Sequence, residues 1–227
     1  MRQVFDYSTI ILDCDGVILD SNQLKATLME EALWECPGII GGIPDAIDYF
    51  IESFGLSRLH QVSVFIDQHL ILAADVDHQL VKNTILTLYT KKLDEQYHRA
   101  RPIDGLLTFL SSASANLFVA SGSEQEQLDT VLSKANLNVY FERIFGAPRT
   151  KDSIIKQVLQ GVDSTADVVF IGDSVADIQA AWRLGIDFIG LTGASLQKMD
   201  LQVRCEQLGF PYFETWQEVM RSPQCKL

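Results

Sequence analysis

Cysteine, histidine and basic residues are all scarce in this chain of 227 residues. The four cysteines (Cys14, Cys36, Cys205, Cys225) are scattered with no C-x-x-C pair, so neither a zinc site nor a disulfide framework is indicated. They read as reduced thiols, with Cys14 expected to point away from any chemistry. Only 18 Lys and Arg stand against 30 Asp and Glu, a formal charge of -12. Phosphate backbones and anionic membranes need a basic surface, so nucleic acid and membrane are poor partners; a small anionic substrate needs only a local reversal of charge. No apolar run approaches the roughly 18 residues of a spanning helix, and the first residues lack a charged, apolar and small-residue leader pattern. The expected location is the cytoplasm.

What is present is a regular alternation. Short β-branched runs recur at "STIILD" (8–13), "NLFVAS" (116–121), "DVVFIGD" (167–173) and "IDFIGL" (186–191), separated by helical patterns. Such runs imply βαβ units and a Rossmann-like parallel sheet with helices on both faces, an α/β fold. After the second run, Ser123 and Glu126 form a capping-box pattern leading into Leu128, Val131 and Leu132. After the third, Val175, Ile178, Ala181 and Trp182 are expected on one buried helix face that ends near Gly185. From about Ser21 to His98 the period is helical with no convincing buried strand, and the stretch is too long for a simple crossover. It reads as a helical insertion, with Trp34 and Phe54 packing inside it and Arg101 to Gly105 as the return linker. "PYFETWQEV" reads as a short edge strand and a terminal helix.

In open parallel sheets, ligands bind beyond the carboxyl ends of the strands. The residues at those ends are Asp13 and Asp15, then Ser121 and Gly122, then Gly172, Asp173 and Ser174, with Asp177 a turn later; Lys151 opens the helix "KDSIIKQVL". Asp13, Asp173 and Asp177 would repel one another without a cation, and hard oxygen ligands with no His or Cys nearby select Mg²⁺. Lys151, Ser121 and the amide of Gly122 offer donors to an anion, which makes a phosphate cradle. One carboxylate can then act as nucleophile and a second as acid and base. Gly16 suits a sharp turn against the site. Each residue also has a plain structural reading: Asp173 or Ser174 as helix caps, Ser21 as the N-cap of the first inserted helix, Lys151 as an exposed cation.

Asp13-Cys14-Asp15-Gly16-Val17 with Asp20-Ser21, then Ser121-Gly122, Lys151, and Gly172-Asp173-Ser174 with Asp177 resemble the four ordered motifs of the haloacid dehalogenase-like phosphohydrolases. The resemblance covers nearly the whole chain. It implies a core domain of residues 1–20 and 99–227 and an α-helical cap domain of residues 21–98. It implies Asp13 as nucleophile and Asp15 as acid/base, catalysis being shared with Lys151. Ser121, Gly122 and Lys151 would bind the substrate phosphate. Asp13, Asp15 (through its carbonyl), Asp173 and Asp177 would form the Mg²⁺ site. Arg58, in the turn "SFGLSR" of the cap, is a candidate specificity residue, with His60 and Lys25 weaker ones.

The expected activity is Mg²⁺-dependent hydrolysis of a small phosphorylated metabolite, a sugar phosphate or a phosphoglycolate-like acid, by a monomer or small homo-oligomer. A β-phosphoglucomutase-like mutase is the alternative, but that family has a histidine where this chain has Lys25. A dehalogenase has no need of Asp15. A phosphonate-cleaving enzyme would need a Schiff-base lysine such as Lys25 or Lys82, and a non-catalytic binding module should have lost an acid or the lysine.

Overall fold

The computed structural model describes residues 3–221; Cys225 lies outside them. Its centre is a six-stranded, wholly parallel sheet. In chain order the strands are β1 (Thr9–Leu12), β2 (Asn116–Glu124), β3 (Arg143–Ala147), β4 (Val168–Gly172), β5 (Asp187–Leu191) and β6 (Tyr212–Phe213). Their spatial order is β6-β5-β4-β1-β2-β3, so the chain starts in the middle and winds outward in both directions. That places the topological switch point between β1 and β4, where a crevice opens.

Continuous apolar runs form the two inner strands β1 and β4 because both faces are covered. Side chains alternate across the sheet: Ile10 and Leu12 join one hydrophobic cluster, Ile11 the other, and Val169 and Ile171 are likewise separated from Phe170. Ile10 lies level with Leu117 on one side and Val169 on the other.

β3, "RIFGA", is a strand that no hydrophobicity pattern announces, because an arginine and a glycine break up its short apolar run. The helix after β4 (α8, Val175–Leu184) buries Ile178, Ala180 and Ala181 and stops at Gly185 in the left-handed conformation. Trp182, expected on the buried face, is 57% exposed, and Ala180 takes the inward position instead.

Between β1 and β2 stand α1 (Asn22–Glu35), α2 (Ile43–Glu52), α3 (Arg58–Val64) and α4 (His78–Gln96), followed by α5 (Leu106–Ser112) against the sheet. The chain leaves and returns through a two-residue antiparallel ladder, Leu19 with Pro102 and Asp20 with Arg101. The first four helices share an apolar interior of Met29, Leu33, Phe50, Phe65, Ile85 and Tyr89, continuous with the cluster on one face of the sheet. A small ribbon pairs Ile39–Gly41 with Ile71–Leu72. Phe54 is buried as expected, but Trp34 is 67% exposed near the end of α1 and packs no interior. No helix among the described residues is long and apolar enough to cross a membrane.

The last elements are α6 (Gln125–Lys134), α7 (Lys151–Leu159), α9 (Lys198–Leu208) and α10 (Trp216–Arg221). Trp216 is fully buried, stacks on Phe109 with ring centroids 4.4 Å apart, and donates its indole N–H to the carbonyl of Val17 at 3.0 Å. The C-terminal helix thereby anchors the loop that follows β1.

Candidate active site

The loop after β1 starts with Asp13, whose amide donates across the sheet to the carbonyl of Ile171 at the end of β4. Adjacent parallel strands in register therefore bring Asp13 beside Asp173, although 160 positions separate them. One helical turn on, Asp177 closes the group: Asp13, Asp173 and Asp177 each offer a carboxylate oxygen within 4.8 Å of the others, and all three are buried. Gly16 makes this possible. Its backbone has φ +78, and a Cβ there would sit 2.1 Å from Asp173 Oδ2.

Ser174 caps α8, donating its hydroxyl to Asp177 Oδ2 at 2.5 Å while Asp177 N–H donates back to Ser174 Oγ at 3.3 Å. Capping and site geometry are thus the same arrangement. Lys151 is the first residue of α7, and Thr150 caps that helix. Its ammonium pairs with Asp13 Oδ2 at 3.1 Å and, more closely, with Asp177.

One cation cannot offset three buried carboxylates. Burial pushes the Asp13 carboxyl up to about 7, Lys151 opposing the rise and Asp177 and Asp15 adding to it. Burial also drives Asp173 well above the usual carboxylate range, with Asp13 and Asp177 contributing. Lys151 is held above its ordinary value by Asp13 and Asp177, which outweigh its own burial. Asp13 Oδ1 is buried with no hydrogen-bond partner among the described residues. An oxygen-only cluster with an orphaned lone pair and an excess of negative charge fits a hard divalent cation.

Asp15 faces the opposite situation. Its Oδ1 accepts from Ser21 Oγ (2.6 Å) and Tyr97 Oη (2.7 Å), and its Oδ2 from Lys25 Nζ (2.5 Å) and Ser123 Oγ (2.9 Å). Burial alone would raise this carboxyl, but Lys25 and the hydroxyl donors hold it below the ordinary value. Lys25 also donates to Ser123 Oγ at 2.6 Å and lies over the Tyr97 ring, 4.4 Å from its centroid. Two neighbouring acids thus shift in opposite directions: Asp15 is held as a carboxylate by its donors, and Asp13 lacks the positive charge that would keep it one.

Several sequence expectations need correction here. Ser123 does not cap α6: β2 runs on to Glu124, and the Ser123 hydroxyl turns to Asp15. Ser21 occupies the N-cap position of α1 but makes no side-chain cap, serving Asp15 instead. Cys14 is buried and its thiol meets Tyr97 Oη at 3.7 Å, so it backs the Asp15 network and does not stand clear of it.

Ser121 is fully buried and its Oγ accepts from the Ser123 amide at 3.1 Å, which shapes the turn around Gly122. A cavity of about 40 Å³ lies between the two acids and the insertion, lined by Asp13, Asp15, Lys25, Phe54, Gly55 and Arg58. Gly122 also lines it, and a Cβ at Gly122 would meet the carbonyls of Gly55 and Leu56 at 3.0 and 3.1 Å, so the "SFGLSR" turn is seated directly on this loop. Outside that turn, Gly55, His60, Gly122 and Lys151 border a larger cleft of about 490 Å³.

Arg58 is buried. Its guanidinium donates to Gln127 Oε1 (2.5 Å) and Thr90 Oγ1 (3.1 Å), approaches Glu124 at 3.8 Å and lies over Tyr89. His60 is exposed beside Tyr49, and Lys82 is not among the residues that line the small cavity. Sequence reasoning gave Lys25 little weight and missed Asn22, Ser123 and Tyr97; the signal for the first two was their position, at most one helical turn past the "DS" that follows the first motif.

Solved structures share the fold. Whole-chain fold neighbours include a haloacid dehalogenase-like family hydrolase from Streptococcus pneumoniae (17% identity, 94% of this chain and 97% of that one, TM-score 0.73). A conserved haloacid dehalogenase-like protein of unknown function from Agrobacterium tumefaciens shares 26% identity over 94% and 96% of the two chains, with a TM-score of 0.68. A protein called a predicted phosphoglycolate phosphatase, from Haemophilus somnus, covers 96% and 98% at 15% identity and a TM-score of 0.70. No curated protein matches the sequence. Residues 10–191 match the haloacid dehalogenase-like hydrolase family, a span that contains every acid of the cluster, Asp15 and Lys151, and the chain belongs to that family.

Proposed function

We propose that the protein is a Mg²⁺-dependent phosphatase that hydrolyses a small phosphorylated metabolite through an aspartyl-phosphate at Asp13. The observation that carries this reading is the contrast between the two acids: Asp13 has a free, buried oxygen beside Lys151, and Asp15, across the same cavity, is held by four donors. Asp13 Oδ1 attacks phosphorus as the bond to the leaving oxygen breaks, and Asp15 relays to that oxygen the proton carried by the phosphate monoanion. In the second half Asp15 removes a proton from water, the water oxygen attacks phosphorus, and the Asp13–phosphorus bond breaks to release inorganic phosphate. Asp13, Asp173, Asp177 and the Asp15 carbonyl would hold Mg²⁺, which supplies positive charge to the carboxylates and phosphoryl oxygens.

Lys151, Ser121 and Gly122 bind the transferring group in this reading. Residues 21–98 act as the cap on a core of 1–20 and 99–227, closing over the leaving group, with Arg58 as a specificity residue. Lys25 reaches the site but is committed to Asp15 as an ion pair, which disfavours a Schiff-base role, and it replaces the histidine expected of a mutase. Cys14, Cys36 and Cys205, the cysteines among the described residues, are buried and form no disulfide, which supports a reducing compartment such as the cytoplasm.

The test is phosphate release from a panel of sugar phosphates, short phosphorylated acids, nucleotides and an aryl phosphate, with and without Mg²⁺. Metal-dependent turnover in the wild type, lost by more than 1,000-fold in Asp13→Asn (about 4 kcal/mol or more in barrier), is the expected result. No release from any of these esters with Mg²⁺ present would sink the phosphatase reading.

A further inference from the structure

Asn22 is the first residue of α1 and is only 2% exposed. Its Nδ2 donates to Asp173 Oδ2 at 2.6 Å and to the carbonyl of Ala194 at 3.0 Å. The Ala194 carbonyl is a pure acceptor, and so is Asp173 in its ionised, metal-binding form, so the orientation of this amide is fixed by chemistry: the flipped form would set oxygen against oxygen twice. The remaining atom, Oδ1, is therefore turned away from both, and it is buried without a donor among the described residues.

Only three buried side-chain polar atoms among the described residues lack a partner, and two of them belong to Asp13 and Asn22, both neighbours of Asp173. A buried acceptor with no donor is costly, and a natural protein keeps one where something absent from the protein itself supplies the hydrogen. A magnesium ion retains several of its waters, and these are strong donors at fixed positions.

We propose that Asn22 is part of the metal site: its Nδ2 orients Asp173, and its Oδ1 accepts from a hydration water of the ion. This rests on reading the three-aspartate cluster as a Mg²⁺ site. Asn22 also belongs to the helical insertion, and one turn along the same helix Lys25 grips Asp15 and Ser123. Occupation of the metal site and seating of α1 on the sheet domain are then linked, each favouring the other by the same factor.

The experiment is calorimetric titration of Mg²⁺ into the substrate-free protein for wild type, Asn22→Ala and Asn22→Asp, with thermal unfolding and hydrogen exchange of the first turn of α1 in parallel. Losing an outer partner of this kind weakens metal affinity by roughly 10- to 100-fold, the shift expected of Asn22→Ala. Asn22→Asp should go the other way. Its new carboxylate repels Asp173 until the ion arrives, so affinity is kept or tightened and Mg²⁺ raises its Tm by more than it raises that of wild type. In wild type, Mg²⁺ should slow exchange in the first turn of α1.

Asn22→Ala binding within twofold of wild type, or both variants weakened alike, would overturn the proposal and leave the phosphatase reading intact. If Asn22→Ala does not fold, the Mg²⁺-induced rise in Tm of Asn22→Asp decides alone, and a rise no larger than that of wild type overturns it. Wild type that binds no Mg²⁺ overturns both this proposal and the metal assignment beneath it.

Discussion

Removing the charge of the proposed nucleophile should stabilise the metal-free protein, and by a measurable amount. The Asp13 carboxyl is displaced from an ordinary value of 3.8 to about 7, chiefly by burial. Between those values the native state holds a proton that the unfolded chain releases, so stability falls as pH rises from about 4 to 7 and is level above. A displacement of that size corresponds to about 4 kcal/mol at neutral pH. Asp173 shifts in the same direction and adds to the slope. Asp15 shifts the opposite way, but most of its contribution is gained below its ordinary value and the remainder is in place by about pH 5.

The assay is urea unfolding in a chelator at pH 4, 5, 6, 7 and 8. Wild type should lose ~4 kcal/mol or more across the series. Asp13→Asn, which keeps the shape and drops the charge, should lose less and be the more stable protein at pH 8. Saturating Mg²⁺ should flatten the wild-type curve. A metal-free wild type whose stability is constant or rises from pH 4 to 7, or an Asp13→Asn less stable than wild type at pH 8, would refute the argument.

Two further substitutions test other parts of the site. Lys25→Met leaves Asp15 buried without its only cation; it should cost about 3–5 kcal/mol of stability at neutral pH. Because the Asp15 carboxyl then rises, the limb of the kcat/KM profile that reports Asp15 should move to higher pH, and an unmoved limb would show that Lys25 does not control Asp15. Gly122→Ala sets a Cβ about 3 Å from the backbone carbonyls of Gly55 and Leu56, which must retreat. Loss of roughly tenfold in kcat (about 1.4 kcal/mol) with faster hydrogen exchange in 53–57 is expected, and an unchanged kcat would mean that seating of this turn is not required.

The parts of the site written in the sequence are those that lie within a residue or two of a strand end or helix start: Asp13, Asp15, Asp173, Asp177 and Lys151. Strand ends are marked by where an apolar run stops, and a parallel sheet carries such residues to one edge whatever lies between. The sheet itself was legible for the same reason, except for "RIFGA", where a short outer strand has too few apolar residues to announce itself.

What stayed hidden depends on contacts between distant segments. Asn22 and Asp173 are 151 residues apart, and Ser123 meets Asp15 across 108. No local pattern separates a serine that caps a helix from one that turns back to a carboxylate, and β2 simply ran three residues past the expected stop. Trp34 and Trp182 were misplaced because aromatic size argues for burial while helix register decides it.

The winding of the sheet also sets an order of events in the life of each molecule. Its first strand is its middle one, and the neighbours that flank it begin at Asn116 and Val168. During synthesis at ~5–20 residues per second, Asp13 leaves the ribosome on the order of ten seconds before Asp173 exists. The indole that secures the Asp13 loop, at Trp216, comes later still. A nascent chain therefore carries its apolar first strand unpaired until the segment from Asn116 has been made, and a fragment stopped short of residue 216 would carry all the chemistry without the brace that holds it. For this fold the interval between making the nucleophile and assembling its surroundings is the period of greatest exposure to aggregation and proteolysis.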